Sequence, residues 1–349
     1  MTKPVRNPTE PLRTRHVFLD TEVYRRAGFN ISNTPFALLA TQIKDGRVIL
    51  HVTDITLAEI QRQLKEAAQA AAAEAKRLTR DFNRIAQLTG EDNVTVRDVD
   101  GPALGERAWA GFIDALVKRF RSQTVPALEI PARAVFDRYF AGTPPFDRRG
   151  SKEFPDAFVV EALVRYCNNN DVSMYVVSGD AALRRAAAEC DALLPLERIE
   201  DILAAATAEA GGDLEAIADD IFAAPGFDDQ LTAAIQADLD FVDFTYYGSL
   251  SDVSILGGEL DEVISVDGYD VAAFDDAKIG LILQANTILT VRLHYVDETE
   301  LRDKDDDIIP TESETSVHTH ARLKVYVSID LRTLRFMETE LLTRDLIVE

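Results

Sequence analysis

Short apolar segments alternate with helical patterns through the first half of the chain. Buried-strand patterns cover residues 16–20, 48–52 and 172–178, and helical patterns cover 34–45, 54–87, 103–121, 131–141 and 181–190. In the 34–45 helix, Thr34 is the predicted N-cap and Pro35 the first helical residue. Strands separated by helices are typical of parallel pairing, so this order predicts an α/β domain with a mainly parallel sheet.

The pattern changes near residue 209. Alternating or apolar strand patterns then cover 262–274, 281–297, 319–329 and 333–348, and the acidic tract Arg302–Glu314 is predicted as a loop. A length of 349 residues corresponds to about two domains. We expect an extended arm (1–15), an α/β domain (16–205), a linker or helix (206–228) and a β-rich α+β domain (229–349).

Negative charge is concentrated in the second part of the chain. Residues 1–208 hold 28 Asp and Glu against 28 Lys and Arg, whereas residues 209–349 hold 32 against 9, which accounts for the net charge of −23. The overall charge argues against a protein coated for DNA. The neutral first part still has local basic clusters and is not covered by that argument.

Cysteine usage and hydropathy point to a reduced, cytoplasmic protein without membrane association. Cys167 and Cys190 are too few for a disulfide framework or a four-cysteine zinc site. No apolar run reaches the roughly 18 residues of a membrane span, and residues 1–15 lack the apolar region of a secretory signal.

Four acidic residues stand where strands end or helices begin. Asp20 and Asp180 follow predicted strands, Glu59 lies near the start of the long helix, and Asp156 follows Pro155 at a helix start. In an open parallel sheet, ligands bind beyond the carboxyl ends of the strands, so we expect these carboxylates to face one crevice. The alternative is that each Asp only caps a helix or turn and that Glu59 is solvated.

Clustered carboxylates repel one another by about 4 kcal/mol per pair at 4 Å and an effective dielectric of 20. Such a cluster persists when a divalent cation neutralises it or when some members take up protons. Oxygen ligands suit Mg²⁺ or Mn²⁺, and such ions activate water for displacement at phosphorus.

The first 205 or so residues resemble a PIN domain, a small α/β/α nuclease fold. The matching pieces are Val17-Phe-Leu-Asp20-Thr21, Ile55-Thr-Leu-Ala-Glu59-Ile60, Pro155-Asp156-Ala157 and Ser178-Gly179-Asp180. The string Lys152-Glu-Phe-Pro-Asp-Ala-Phe is similar to a subgroup of larger bacterial PIN proteins. The resemblance implies a three-layer α/β/α domain and does not extend to residues 209–349.

This resemblance implies a hydrolase, an Mg²⁺- or Mn²⁺-dependent endoribonuclease acting on RNA. Asp20, Glu59, Asp156 and Asp180 would be its catalytic and metal-binding residues, and Ser178 a supporting hydroxyl. By family analogy alone, a toxin or defence role follows, with an inhibitory protein and a homo-oligomer as candidate partners.

Neighbouring charged residues have two interpretations each. Glu153 is a supporting carboxylate or a helix-start residue, and Glu22, where the family more often has a small polar residue, is a fifth carboxylate or, as we favour, a surface residue. Lys152, Arg148 and Arg149 either bind substrate phosphates or lie in a solvated loop.

Two further patterns favour structural interpretations. Lys76, Arg80 and Arg84 share a face of the long helix, which predicts a solvated face, with phosphate binding as the alternative. His318 and His320 lie on one side of a strand, where a surface or structural role is favoured over a metal site with His294.

A non-enzymatic hypothesis competes with the nuclease. The fold could serve as a nucleic-acid or protein binding module, with the acidic C-terminal domain used for interaction or autoinhibition. The complete set of four acids favours the enzyme, because a decayed site is expected to lack one of them.

Overall fold

The computed structural model describes residues 4–7, 9–90, 92–95, 99–146, 153–208, 213–302 and 308–348. It divides into two compact units, Leu12–Ile202 and Met1–Pro11 with Leu203–Glu349. We call the first the α/β unit and the second the β-rich unit, and describe each separately. None of the described helices is both long enough and apolar enough to span a membrane.

The strands are numbered along the chain. They are β1 (Val5–Arg6), β2 (His16–Leu19), β3 (Ile49–Thr53), β4 (Gln123–Val125), β5 (Met174–Val177), β6 (Leu193–Leu196), β7 (Asp243–Tyr246), β8 (Ser254–Phe274), β9 (Lys278–Arg302), β10 (Ile308–Asp330), β11 (Phe336–Leu341) and β12 (Asp345–Val348).

The α-helices are numbered in the same way. They are α1 (Thr21–Arg26), α2 (Thr34–Lys44), α3 (Asp54–Thr89), α4 (Gly101–Lys118), α5 (Ala132–Ala141), α6 (Phe154–Asn170), α7 (Ala181–Ala188), α8 (Ile199–Ala208), α9 (Leu214–Phe222) and α10 (Phe227–Asp238). A short 3-10 helix covers Leu239–Phe241.

The α/β unit contains a parallel sheet in the order β4-β3-β2-β5-β6, flanked by helices. Val17, Phe18 and Leu19 of β2 are all fully buried. Because successive side chains of a strand point to opposite faces, both faces of the sheet are covered. The predicted α/β class with a parallel sheet is confirmed. The outer strands β4 and β6 were not predicted: β4 has only three residues, two of them polar, and the four apolar residues of β6 include Pro195, which is unfavourable in a strand.

The long helix α3 packs against α4 through small residues. A Cβ atom added at Gly101 or Gly105 would lie 3.0 Å from the Cα of Gln69 or Lys65, respectively. Glycine therefore permits the two backbones to approach closely at these positions. The start of α4 lies opposite Gln69, and α3 continues beyond this contact to Thr89.

The start of α2 differs from the prediction. The N-cap is Asn33, whose Oδ1 accepts a hydrogen bond of 3.3 Å from the Phe36 amide, and Thr34 is already helical. Asn is a better N-cap than Thr, so the residue type itself favours Asn33.

The β-rich unit contains the sheet β1-β8-β9-β10-β11 and a second, two-stranded sheet, β12-β7. Strands β8 to β11 are antiparallel, and β1 pairs in parallel with β8. Asn7, just after β1, donates a hydrogen bond of 2.9 Å to Asp270 Oδ1. Residues 5 and 6, expected in an extended arm, are thus part of this sheet.

The core of the β-rich unit lies between the five-stranded sheet and helices α9 and α10. Leu231 and Ile235 of α10 are fully buried against sheet residues that include Leu281 and Val325. A β-rich α+β region therefore follows the α/β unit, as predicted. Residues 214–222, placed in a linker or helix, form the whole of α9 and contribute to this core.

The prediction of a loop over Arg302–Glu314 is wrong for its described part. Arg302 ends β9, and Ile308–Glu314 belong to β10, which pairs with β9. Backbone groups form the antiparallel ladder whatever the side-chain polarity, so an acidic composition does not exclude a strand. Residues 303–307 lie outside the described part of the chain.

Candidate active site

Asp20 and Ser178 meet where two neighbouring strands end. In the parallel pair β2 and β5, Leu19 lies opposite Val177, so the residues that follow the two strands are adjacent. The Ser178 hydroxyl donates a hydrogen bond of 2.7 Å to Asp20 Oδ2. Ser178 is fully buried, so this contact is shielded from water.

The second carboxylate oxygen of Asp20 caps helix α1. Asp20 Oδ1 accepts a hydrogen bond of 2.7 Å from the Thr21 amide. Burial raises the pKa of Asp20, as do the charges of Glu59 and Glu22, while the bonds from Ser178 and Thr21 act in the opposite direction. Asp20 is thus both a cap and a member of a negatively charged group.

Glu59 reaches the same region from α3. Its Oε2 accepts a hydrogen bond of 2.7 Å from the Thr21 hydroxyl, which ties the start of α1 to α3. Thr21 is buried, and the family resemblance gave it no role beyond its place in the motif. Its position directly after Asp20 is the only sequence signal that points to it.

Asp156 has the most perturbed carboxyl group of the region. It lies in the first turn of α6 and is half-buried. Burial raises its pKa from 3.8 to about 8, and the charges of Asp20, Glu153, Glu59 and Asp180 add to this shift, in that order. The structure therefore places Asp20, Glu59, Asp180 and Glu153 within electrostatic reach of Asp156.

Asp180 is the N-cap of α7 and is exposed. Its Oδ1 accepts hydrogen bonds of 2.6 Å from the Ala182 amide and 3.4 Å from the Leu183 amide. The capping interpretation weighed for this residue is therefore realised in the structure. It does not exclude the electrostatic role, since the charge of Asp180 still acts on Asp156.

Glu22 is not the surface residue that we favoured. Its side chain is half-buried and forms an ion pair of 2.7 Å with Arg26. Its Oε2 is buried and has no hydrogen-bond partner in the described part of the chain. Its charge raises the pKa of Asp20, so Glu22 belongs to the acidic group.

Gly179 makes room for this ion pair. A Cβ atom added there would lie 2.5 Å from Glu22 Oε2 and 2.6 Å from Arg26 Nη2. The requirement for glycine in Ser178-Gly179-Asp180 is a steric one that sequence reasoning did not find.

The donor chemistry of the group fits a hard divalent cation. All candidate ligands are carboxylate oxygens, and the buried Glu22 Oε2 lacks a hydrogen-bond donor in the described residues. No set of three or more His, Cys, Asp or Glu side chains is close enough to hold a metal ion, within the residues described. Asp20, Glu59, Asp156 and Asp180 as metal ligands therefore stay a prediction.

Other predicted residues lie apart from this group or outside the described chain. Arg148, Arg149 and Lys152 fall in the segment 147–152, of which nothing is described. His318 is exposed on β10, with its Nδ1 2.8 Å from Thr290 Oγ1 and 3.3 Å from Asp261 Oδ2. These contacts are those of a surface histidine on a polar sheet face.

The family comparison agrees with the fold of the α/β unit. Residues 17–182 match the family model described as a PIN domain, so this part of the chain belongs to the PIN-domain family. Neither a curated protein nor a solved structure matches the chain. PIN domains are usually nucleases that use divalent metal ions, and all four predicted acids lie within the matched residues. Membership of the Lys-Glu-Phe-Pro-Asp subgroup stays a prediction.

Proposed function

We propose that the α/β unit is a metal-dependent endoribonuclease that hydrolyses RNA phosphodiester bonds. The single observation that carries the proposal is the electrostatic coupling of Asp156 to Asp20, Glu59 and Asp180 beyond the sheet's carboxyl ends. A cluster of like charges has no structural benefit for an isolated domain, because it lowers stability. Such clusters are typical of sites that bind a divalent cation or a proton.

In this proposal, Asp20, Glu59, Asp156 and Asp180 would hold Mg²⁺ or Mn²⁺. When bound, such an ion activates water and neutralises negative charge that develops on the phosphoryl oxygens. Ser178 and Thr21 orient the carboxylates of Asp20 and Glu59, respectively, by the hydrogen bonds that they donate. The helix-cap bonds to Asp180 fix its Oδ1 in the same way.

Asp156 has a further role in the proposed chemistry. With a pKa of about 8, its carboxyl group holds a proton at neutral pH in the metal-free protein. To hold a cation, the Asp156 carboxyl group would have to give up that proton, and its carboxylate would then be available as a ligand. Glu153, which is half-buried at the N-cap of α6, contributes a negative charge that helps to raise the pKa of Asp156.

The test is cleavage of a labelled single-stranded RNA pool by the full-length protein in Mn²⁺, Mg²⁺ or EDTA. We expect metal-dependent cleavage that is lost in Asp20→Asn and in Asp156→Asn. The matched control is Asp137→Asn on the exposed face of α5, which should cleave like the wild type. Equal cleavage by all three variants, or cleavage that persists in EDTA, would contradict the proposal.

The binding-module alternative predicts a different result in the same experiment. A module without catalysis would bind the RNA pool and leave it intact under every metal condition. The concentration of negative charge in residues 209–349 is the observation that favours an interaction or autoinhibitory role for the β-rich unit. Toxin or defence activity, an inhibitory partner and a homo-oligomer remain proposals of family analogy.

A further inference from the structure

Helix α3 carries a row of basic side chains beyond its contact with α4. Residues 75–89 contain Lys76, Arg77, Arg80 and Arg84 against a single acid, Asp81. Arg77 is paired with Glu74 and Asp81. Lys76, Arg80 and Arg84 are exposed and form no ion pair with any residue that the structure describes. We call these three residues the basic row.

The basic row lies on an uncovered side of the helix. Ala68 and Ala86 are buried, which identifies the covered side. On the same helix, Lys76, Arg80 and Arg84 are spaced four residues apart, so neighbouring members are about 6 Å apart along the axis. The three like charges repel one another, and no ion pair with a described residue offsets that repulsion.

The far end of the row lies on the same face of α3 as Glu59. Arg84 follows Glu59 by 25 residues, which is close to seven turns of an α-helix at 3.6 residues per turn. Arg80 and Lys76 follow Glu59 by 21 and 17 residues, which places them about 60° and about 100° around the helix from it. The row therefore turns gradually toward the Glu59 face from Lys76 to Arg84. The row extends to about 37 Å from Glu59 along the helix axis.

A single-stranded nucleic acid is the ligand that this arrangement fits. Its backbone carries negative charge at regular intervals, and guanidinium and ammonium groups bind phosphates. We propose that the basic row binds the phosphate backbone of single-stranded nucleic acid that extends from the acidic site along α3. This inference rests on the proposed function, because it takes the acidic site as the place where the strand is cut.

The experiment measures binding by fluorescence anisotropy with the full-length protein. Asp20→Asn is the background, so that the probe stays intact. The probes are oligouridylate and oligothymidylate of about 6 and about 30 nucleotides. The test variant adds Lys76→Gln, Arg80→Gln and Arg84→Gln, and the charge-matched control adds Lys44→Gln, Arg133→Gln and Arg165→Gln. The control residues are exposed and lie on other elements of the same unit.

We expect tight binding of the long probe with a steep dependence on salt. Each phosphate contact contributes about 0.7 to the slope of log K against log salt for single strands, so the test variant should lose about 2 from the slope. The control variant should keep the slope, and the short probe should not distinguish the variants. A stronger effect on oligouridylate than on oligothymidylate indicates RNA, and equal effects indicate recognition of the backbone alone.

Three outcomes would overturn the inference. The first is an unchanged slope in the test variant, and the second is an equal loss in the control variant, which indicates nonspecific charge. Binding of anionic lipid vesicles in place of either probe, lost in the test variant, would also overturn it. RNA cleavage with an unchanged slope contradicts only this inference, whereas a reduced slope without cleavage in any metal contradicts only the proposed nuclease.

Discussion

Ser178 Oγ donates a 2.7 Å hydrogen bond to Asp20 Oδ2, which joins the residues that follow strands β5 and β2. This bond favours the ionised form of Asp20 and opposes the effect of burial on its pKa. The register of β2 and β5 therefore influences the pKa of Asp20, because it places the Ser178 hydroxyl beside the carboxylate.

Replacement of Ser178 by alanine removes this donor. We expect a loss of about 1–3 kcal/mol in the free energy of unfolding, because a half-buried carboxylate oxygen loses its partner. Urea denaturation at pH 7 measures this loss, and Ser122→Ala in the same unit is the control with an expected change under about 0.5 kcal/mol. Equal stability of the two variants would show that the bond has no net effect.

Asp156→Asn should stabilise the metal-free protein at neutral and alkaline pH. The folded-state pKa of about 8 lies above the ordinary 3.8, so the folded protein binds the extra proton between these values. The contribution of Asp156 to the free energy of unfolding therefore falls as pH rises from about 4 to 8. The variant lacks this dependence, and its Tm at pH 8 should exceed that of the wild type by about 5 °C or more.

Calorimetric scans in EDTA at pH 5 and pH 8 measure the effect. Asp137→Asn, at an exposed position of α5, should follow the wild type at both pH values. A variant with an unchanged or lower Tm at pH 8 would contradict the assigned burial and repulsion at Asp156.

His51 should make the α/β unit sensitive to acid. It is fully buried in β3, its Nε2 lies 2.8 Å from His16 Nδ1, and burial together with the charge of His16 lowers its pKa from 6.5 to about 4. The unfolded chain binds the proton first as pH falls from 6.5 to 4. The contribution of His51 to the free energy of unfolding is therefore lost in that window, by about 1.4 kcal/mol per pH unit at most, and it opposes the contribution of Asp156.

Urea denaturation between pH 4 and pH 7 in the Asp156→Asn background, which lacks the opposing dependence of Asp156, measures this slope. His51→Phe keeps a ring beside Tyr166, whose ring centroid is 4.8 Å from that of His51, and should flatten the slope. His320→Asn, at an exposed position of β10, should leave it unchanged. A slope that persists in His51→Phe would assign the acid sensitivity to another group.

Gly179→Ala should displace the Glu22–Arg26 ion pair. The added Cβ would lie 2.5 Å from Glu22 Oε2, and the clash is with the ends of flexible side chains, not with backbone. We expect a loss below about 1 kcal/mol in the free energy of unfolding, because both side chains can rotate away. Gly111→Ala has open space at its Cβ and lies inside α4, so it should gain up to about 1 kcal/mol. A loss of several kcal/mol in Gly179→Ala would show that the ion pair is fixed.

The sequence alone determined the α/β class, the strands β2, β3 and β5, and the placement of four acids near strand ends and helix starts. These features are local: an apolar run, a helix period and a carboxylate at a boundary are visible without knowledge of the remainder of the chain. The acidic composition of residues 302–314 was misleading, because strand formation there depends on pairing with β9 and not on local polarity.

Tertiary structure decided which side chains share one electrostatic environment. The Glu22 carboxylate lies beside Arg26 in the space above Gly179, which places it in the acidic group. The Thr21 hydroxyl bonds to Glu59 because α1 contacts α3. The pKa of Asp156 depends on burial and on charges more than 90 residues away in sequence, such as Glu59. Sequence determines which groups can ionise, whereas the distances and the loss of water that set their pKa values arise only when the strands and helices pack together.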